Sequence, residues 1–319
     1  MNFQQLRIIH ETVRRNFNLT EVANALFTSQ SGVSKHIKDL EDELGLELFI
    51  RKGKRLLGLT EPGQELAHVV DRMLMDARNI KSIAAQFSAR DHGQLTIATT
   101  HTQARYFLPE PVAQLRRRYP KVQLVLHQGV PEQVAAMLLG DVAEIGLATE
   151  ALADHDGLVT LPCYEWQHVM VVPAGHPLAT VERPTLEQLA AHPLVLYHPT
   201  VTGRTRIDQA FERARLKPLV ALEAIDSDVI KTYVRGGLGV GIVAELAMRT
   251  DPPEPDLVAR PLGHLFGSNL TRVAFKRGAY LRQFVLAFAE LISDRLTRAL
   301  IMQAISPQAG QTPSVDYGL

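Results

Sequence analysis

The chain has 319 residues with 34 basic and 34 acidic side chains, so its formal net charge is zero, and its length suggests two or three domains. Cys163 is the one cysteine, which excludes an internal disulfide framework and a cysteine-based zinc site. No apolar run approaches the roughly 18 residues of a membrane span. Three early arginines argue against a cleavable signal, so a cytoplasmic location is expected.

Charge is more informative by segment than over the whole chain. Residues 1–90 carry 13 basic and 11 acidic side chains, and residues 91–319 carry the other 21 and 23. The stretch 48–60 contains no acid and four basic residues, Arg51, Lys52, Lys54 and Arg55. Overall neutrality therefore does not exclude a nucleic-acid partner.

The beginning of the chain predicts three short helices. Apolar spacing predicts one over 3–17, a second capped at its start by Thr20, and a third from about Gln30 to Leu44 that Gly45 ends. The predicted core-facing stripe of the third helix consists of Val33, Ile37, Leu40 and Leu44.

A second face of the third helix carries polar side chains that can reach phosphate oxygens or base edges. These are Gln30, Ser31, Ser34, Lys35 and Lys38. A short helix, a tight turn and a helix with a donor-rich face are typical of a helix-turn-helix, whose second helix enters the DNA major groove. An ordinary three-helix bundle with a solvated polar face fits this pattern equally well.

Residues 46–59 predict a short β-hairpin after this helix, which favours the winged form of the helix-turn-helix. The basic side chains at its tip, Arg51, Lys52 and Lys54, would hold phosphates in a salt-sensitive way that does not depend on base sequence. The acids of the same region are expected to face away from the DNA; they are Asp39, Glu41, Asp42, Glu43 and Glu47.

A long helix is predicted over 61–90, with Thr60 as its N-cap. Apolar residues recur along it at alternating spacings of four and three, namely Leu66, Val70, Met73, Ala77, Ile80, Ala84 and Phe87. Such a heptad seam predicts a dimer, and two-fold symmetric proteins read two half-sites on DNA. The alternative is a helix that lies on the core of its own domain.

Apolar strands alternate with helices between residues 91 and 300, which predicts a parallel α/β sheet with helices on both faces. The strands are expected over 95–99, 122–127, 144–149 and 169–172, and the helices around 104–118, 131–139, 186–191, 204–214 and 227–235. The tail from Ser306 is expected to be disordered.

Polar clusters stand where strands end or helices begin, around Thr100, Thr102 and Gln103, at Thr149, and at Thr202. Hydroxyls and helix-start amides at such places can hold a small oxyanion without a cation. For each cluster alone, a plain helix cap is the alternative. Trp166 is either a core residue or the apolar wall of a ligand cleft.

The sequence contains no nucleophile elbow, zinc-protease helix, P-loop or dinucleotide-binding fingerprint, and its histidines are not at metal-ligand spacings. No metal or cofactor is therefore expected. A DNA-binding regulator and a small-molecule binding protein whose first helices only dimerise both fit the pattern. An enzyme is the least supported class.

Residues 1–60 resemble the DNA-binding domain of LysR-type transcriptional regulators. The resemblance rests on Ser29-Gln30, Ser34, Leu40-Glu41, Leu44-Gly45, Leu48-Phe49 and Leu59–Gly63. The remainder resembles the CysB/Cbl branch of that family in the stretches Ile97–Tyr106, Ala148–Leu152, Leu161–Tyr164, Thr202–Arg204 and Asp228–Arg235.

This resemblance implies an α domain followed by an α/β domain. A winged helix-turn-helix (1–60) and a linker and dimerisation helix (61–90) would precede a two-lobed effector domain like a periplasmic binding protein (91–300) and a tail (301–319). Lobe I would take about 93–165 and 266–300, and lobe II about 166–265.

The resemblance also implies a homotetrameric regulator, mainly an activator, of sulfur assimilation and cysteine biosynthesis genes, acting on double-stranded promoter DNA with RNA polymerase. A sulfate-like anion, adenosine phosphosulfate or an acetylserine would bind between the lobes. The matching positions are Thr100, Thr102, Gln103, Thr149, Trp166 and Thr202. The alternative is a regulator of sulfonate or sulfate-ester use whose effector is adenosine phosphosulfate or sulfate.

Overall fold

A computed structural model describes residues 1–53, 55–88, 91–201, 203–249 and 254–306. The chain divides between Ala85 and Gln86 into two compact units. In the described residues, no helix combines the length and apolar character needed to cross a bilayer. The first elements of the chain are α1 (Phe3–Arg14), α2 (Leu19–Ala25), α3 (Gln30–Leu44), β1 (Phe49–Lys52), β2 (Arg55–Leu59) and α4 (Glu61–Ser88).

Local capping explains where the first helices begin and end. The predicted Thr20 cap is wrong: the N-cap of α2 is Asn18, two residues earlier, and its side chain accepts hydrogen bonds from the amides of Thr20 and Glu21. The predicted bounds of α3 are confirmed, with Ser29 as N-cap and Gly45 in the left-handed region at φ 68°.

The core-facing stripe of α3 is confirmed for Val33, Ile37 and Leu40, which are all at most 1% exposed. Leu44 is 37% exposed, so its predicted place in the stripe is wrong. Glu41 is buried instead, because the hairpin that follows α3 covers its carboxylate.

The apolar seam of α4 divides into two parts. Val70 is buried in the core of the first unit, where Leu66 also packs, and Leu74 joins them there from outside the predicted seam. Farther along, Ile80 is 68% exposed and Phe87 is 70% exposed. The start of the helix therefore lies on its own domain, as the alternative prediction had it, and the exposed part is the one that a dimer would use.

The second unit contains the remaining strands and helices. Its strands are β3 (Gly93–Thr99), β4 (Val122–Gln128), β5 (Ile145–Ala148), β6 (Leu158–Pro173), β7 (Leu194–Tyr197), β8 (Val220–Ala224), β9 (Val240–Ala244), β10 (Leu257–Pro261) and β11 (Ser268–Lys276). Its α-helices are α5 (Pro109–Arg118), α6 (Pro131–Leu139), α7 (Leu186–Ala190), α8 (Arg204–Arg213), α9 (Ser227–Arg235), α10 (Gly263–Phe266), α11 (Gln283–Ile292) and α12 (Arg298–Ile305).

The described strands of the second unit form a mixed sheet in the order β4-β3-β5-β11-β6-β9-β7-β8, with β10 also paired to β6. The prediction of a wholly parallel sheet is therefore wrong. The pairs β3–β4, β3–β5, β7–β8 and β7–β9 are parallel, whereas β6 and β11 pair with their neighbours in antiparallel fashion. Alternation of strands and helices in a sequence does not report strand direction.

The long strand β6 joins the two lobes of this unit. Its residues Leu158–Gln167 pair with β11 in the first lobe, and His168–Pro173 pair with β9 and β10 in the second. The sequence predicted only 169–172 as strand, because polar residues and Pro162 interrupt the apolar pattern before that point. The first lobe and the second lobe each enclose separate apolar clusters.

Two further predictions need correction. The helix expected over 104–118 is a π-helical turn, Gln103–Phe107, followed by α5, which has proline at its start. Residues 301–305, which were expected to belong to the tail, are part of α12 instead, and Ile301, Ala304 and Ile305 are buried in the core of the first lobe. Residues 307–319 lie outside the described part of the chain.

Candidate functional site

The candidate DNA-binding surface is the polar face of α3. Gln30, Ser31 and Lys35 are exposed and Ser34 is half-buried, all on a helix fixed by its buried apolar stripe. Lys38 is also exposed, and its Nζ lies 3.0 Å from an oxygen of Asp42. The face thus offers amide, hydroxyl and ammonium donors at helical spacing, which suits the edges of bases in a major groove.

The β1–β2 hairpin, the wing of the predicted winged helix-turn-helix, is bonded to α3 through the buried carboxylate of Glu41. One of its oxygens accepts the backbone amides of Leu48 (2.9 Å) and Phe49 (3.3 Å), and the other accepts Arg51 Nη2 at 2.6 Å. Arg51 was predicted to hold phosphate, but in the structure its guanidinium is bonded to Glu41. Lys52 is exposed beside the turn, and Lys54 lies outside the described residues.

The acids of α3 and of the residues after it were expected to face away from the DNA. Glu41 is buried, and Glu43 bonds the amino group of Met1. Asp42 instead pairs with the exposed Lys38, so the charge of that lysine is partly neutralised on the surface.

In the second unit, a pocket brings together five of the six residues that the sequence predicted for an effector. Its lining contains Thr100, Thr102, Gln103, Thr149 and Trp166, together with Tyr197, Val201, Ala244 and Leu246. The sixth, Thr202, lies outside the described residues. None of the residues that line this inner pocket carries a charge.

The hydroxyls of the inner pocket are held in a hydrogen-bond network that spans both lobes. The Thr100 hydroxyl donates to Gln103, whose amide nitrogen donates to the Thr271 hydroxyl at 3.3 Å. On the opposite side, Thr102 Oγ1 lies 3.5 Å from Ser227 Oγ, which lies 2.6 Å from the Tyr197 hydroxyl. Such neutral donors can coordinate an oxyanion without a paired cation.

A wider chamber of about 720 Å³ adjoins the inner pocket. The two share Thr149 and Val201, and the chamber adds charged and amide side chains at Glu132, Arg206 and Asn269. Arg204, from the stretch Thr202–Arg204 that carries the family resemblance, is not part of this wall. It is buried, and its Nη1 donates to Glu223 Oε1 at 2.8 Å, which fixes the position of the start of α8.

One wall of these cavities contains a buried polar cluster that the sequence did not reveal. Burial and the nearby Arg206 lower the pKa of His168 to about 3, so its ring is neutral. His168 Nδ1 lies 3.4 Å from Asn269 Nδ2, and its ring lies 5.0 Å from that of Trp166. Trp166 Nε1 has no hydrogen-bond partner among the described residues. Because β6 side chains alternate, extension of the predicted strand back to Trp166 would have placed His168 on the same face.

The sequence allowed Trp166 to be either a core residue or the wall of a ligand cleft, and in the structure it has both roles. Its side chain is 5% exposed and lines the inner pocket. Cys163 lies three residues earlier and is buried in the first lobe, where burial raises the pKa of its thiol to about 12. A thiol in that state is inert.

Comparison with known proteins decides the family. Residues 3–64 match the bacterial regulatory helix-turn-helix protein of the lysR family, and residues 88–297 match the LysR substrate binding domain. The chain belongs to the LysR family. LysR proteins are DNA-binding transcription regulators, which is not an enzyme class, and the predicted resemblance and fold class are confirmed.

Several LysR relatives match nearly the whole chain. The HTH-type transcriptional regulator SsuR of Burkholderia cenocepacia is 53% identical over 302 residues, which cover 94% of this chain and 97% of SsuR. CysB of the same organism is 52% identical over 311 residues, covering 97% and 98%. The regulator cbl of Escherichia coli strain K12 is 49% identical over 317 residues, covering 99% of each.

Solved LysR structures show the same architecture. The cofactor-binding domain of the Cbl transcriptional regulator has a TM-score of 0.64 and 43% identity, and the match covers 67% of this chain and 94% of that domain. A full-length OxyR variant from Pseudomonas aeruginosa has a TM-score of 0.58 and 20% identity, over 92% of this chain and 99% of OxyR. The second likeness concerns the fold alone.

Proposed function

We propose that this LysR protein activates genes of sulfur assimilation and cysteine biosynthesis from the cytoplasm, in response to a small sulfur oxyanion or acetylserine bound between its lobes. Gln30, Ser31, Ser34, Lys35 and Lys38 contact promoter DNA, and Lys52 and Lys54 bind phosphates beside Arg51. The exposed part of α4 forms a dimer, and two dimers form the tetramer that recruits RNA polymerase.

The observation that carries the effector proposal is the inner pocket itself. Residues from both lobes, spread along the chain from Thr100 to Leu246, line one cavity with hydroxyl, amide and indole donors and no charged side chain. This donor set suits a group that has only acceptor oxygens, such as sulfate. The near-equal identities to CysB and SsuR do not favour the sulfonate alternative over sulfur assimilation.

For DNA binding, the double variant Ser34→Ala/Lys35→Ala is expected to lose about 100-fold in affinity for the promoter, since each base or phosphate contact contributes about 1–3 kcal/mol. Footprinting and titration of labelled promoter DNA measure this loss. Lys81→Ala, which removes an exposed lysine on α4, serves as the matched control and should leave the footprint intact. An unchanged footprint with the double variant would contradict the assignment.

For the effector, Thr102→Val/Thr149→Val is expected to weaken sulfate binding by at least tenfold, because hydrogen bonds to a charged group contribute about 1.5–3 kcal/mol each. Isothermal calorimetry and the thermal shift with sulfate, thiosulfate, adenosine phosphosulfate, O-acetylserine and N-acetylserine provide the measurement. Thr180→Val removes an exposed hydroxyl outside the pocket and should bind as the natural chain does. Survival of the full shift in the double variant would place the effector elsewhere.

A further inference from the structure

The chamber that adjoins the inner pocket carries opposite charges from opposite lobes. Glu132 lies in the first turn of α6 in the first lobe, and Arg206 lies in the first turn of α8 in the second. Glu132 Oε2 also lies 3.4 Å from His155 Nε2. Both cavities are lined by Thr149 and Val201. A ligand held in the inner pocket can therefore extend into a cavity that has both signs of charge.

Arg206 lies at the end of a helix where a bound anion is favoured. The N-terminus of a helix carries partial positive charge, which stabilises anions and disfavours cations. The first turn of α8 nevertheless contains no acidic residue, and its N-cap is Gly203, which has no side chain to cap the helix. Arg204 of the same turn pairs with Asp208 and Glu223. An anion in the chamber would be stabilised by both the helix start and the Arg206 guanidinium.

The guanidinium of Arg206 lies beside β11, the strand that carries Asn269. A Cβ on Gly267, the residue before β11, would lie 3.6 Å from Arg206 Nη1. Burial and the charge of Arg206 together lower the pKa of His168, whose Nδ1 lies 3.4 Å from Asn269 Nδ2. The cation and the amide therefore belong to one wall of the chamber.

Asn269 supplies a buried acceptor to the same wall. It lines the chamber and is 1% exposed, and its Oδ1 has no hydrogen-bond partner among the described residues. Its Nδ2 faces His168 instead. A buried acceptor without a partner is costly, so this oxygen indicates a donor that a ligand supplies. An ammonium is such a donor.

The chamber thus offers complementary groups to both charges of an α-amino acid. A carboxylate suits Arg206 and the start of α8, and an ammonium suits Glu132 and the Asn269 oxygen. The other described side chains of the lining are hydroxyl, amide and aliphatic groups and prolines, which suit a compact polar group. The inner pocket adds uncharged donors, which suit an oxyanion.

We propose that the two cavities together bind an α-amino acid whose side chain ends in a sulfur oxyanion, such as a sulfonate or a sulfate ester. The oxyanion lies in the inner pocket, the carboxylate binds Arg206, and the ammonium binds Glu132 and Asn269. This inference rests on the function proposed above, because it takes the inner pocket as the oxyanion site. Such a ligand contacts charges of both lobes, whereas inorganic sulfate in the inner pocket contacts neither.

Calorimetric titration of the full chain with L-cysteate and with methanesulfonate tests the chamber. Both probes carry a sulfonate, and L-cysteate alone carries the ammonium and the carboxylate. L-cysteate is expected to bind about tenfold more tightly, since hydrogen bonds between charged groups are strong. Arg206→Gln and Glu132→Gln are each expected to weaken L-cysteate binding about tenfold and to leave methanesulfonate binding unchanged.

Two further probes separate the two charges of the chamber. Taurine carries the sulfonate and an ammonium, so its binding should weaken in Glu132→Gln and not in Arg206→Gln. Sulfopropanoate carries the sulfonate and a carboxylate, so the reverse is expected.

Matched controls are available on exposed helix positions. Glu110→Gln removes an acid from the first turn of α5, and Arg213→Gln removes an arginine from the last turn of α8. Neither residue belongs to the described lining of the chamber. Both control variants should bind every probe as the natural chain does.

Equal affinity of the natural chain for L-cysteate and methanesulfonate would overturn the inference, and so would a preference for L-cysteate that both chamber variants retain. Failure of sulfate and methanesulfonate to bind would instead contradict the oxyanion function proposed above. In that case L-serine, which has the ammonium and carboxylate without an oxyanion, decides the chamber. Serine binding that both variants lose would support the inference, and absence of serine binding would overturn it.

Discussion

Glu41→Ala is expected to lower the free energy of unfolding of the first unit by about 3 kcal/mol and to abolish specific DNA binding. The carboxylate is 7% exposed and satisfies the amides of Leu48 and Phe49, which are themselves buried. Without it, two buried donors lose their acceptor, and each such loss costs about 1–3 kcal/mol. Arg51 also loses its partner, so the wing is no longer held against α3.

Differential scanning calorimetry and circular dichroism of the full chain measure this effect, and promoter titration measures its consequence. Asp39→Ala removes another acid of α3 that is exposed, so it should change stability by less than about 0.5 kcal/mol. Glu41→Gln keeps an acceptor oxygen for the two amides but loses the charge opposite Arg51. Its free energy of unfolding should therefore lie between those of Glu41→Ala and Asp39→Ala. If Glu41→Ala is as stable as Asp39→Ala, the carboxylate does not hold the wing.

The elements that the sequence predicted best are those whose signals are local. The bounds of α3 follow from the Ser29 cap, the apolar stripe and the left-handed Gly45. The bounds of α6 follow from Pro131 at its start and Gly140 after its end. The burial of Glu41 had no local signal, because it depends on a hairpin that folds back seven residues later.

Which residues meet at the candidate site depends on long-range strand pairing, and the sequence pattern does not report that pairing. The polar clusters at Thr100 and Thr149 meet because β3 and β5 are neighbours and end at the same edge of the sheet. Tyr197, Ser227 and Asn269 join this site through strands and a helix of the second half of the chain. No periodicity links such distant positions, and the crossing of β6 between the lobes depends on pairing with β11 about 100 residues away.

Gly239→Ala is expected to destabilise the second unit by about 3 kcal/mol, since overpacking against rigid backbone typically costs 1–3 kcal/mol or more. A Cβ at this position would lie 2.1 Å from the Pro193 carbonyl oxygen and 2.8 Å from its carbon. The same carbonyl accepts the amide of Val240 at 2.8 Å where β9 pairs with β7. Within the glycine-rich run 236–241, Gly239 is the position where a Cβ would come closest to backbone.

Thermal and urea unfolding of the full chain, followed by Trp166 fluorescence, measure the loss. Gly175→Ala provides the control, because a Cβ there meets nothing within 4 Å, and it should be neutral or stabilise by up to about 1 kcal/mol. Since Leu194 and Val240 beside Gly239 are fully buried, the strands cannot separate to admit the methyl group without opening the core of the second lobe. Equal stability of the two variants would mean that β9 shifts freely along β7, and the inner pocket, whose residue Ala244 ends β9, would then have no fixed wall.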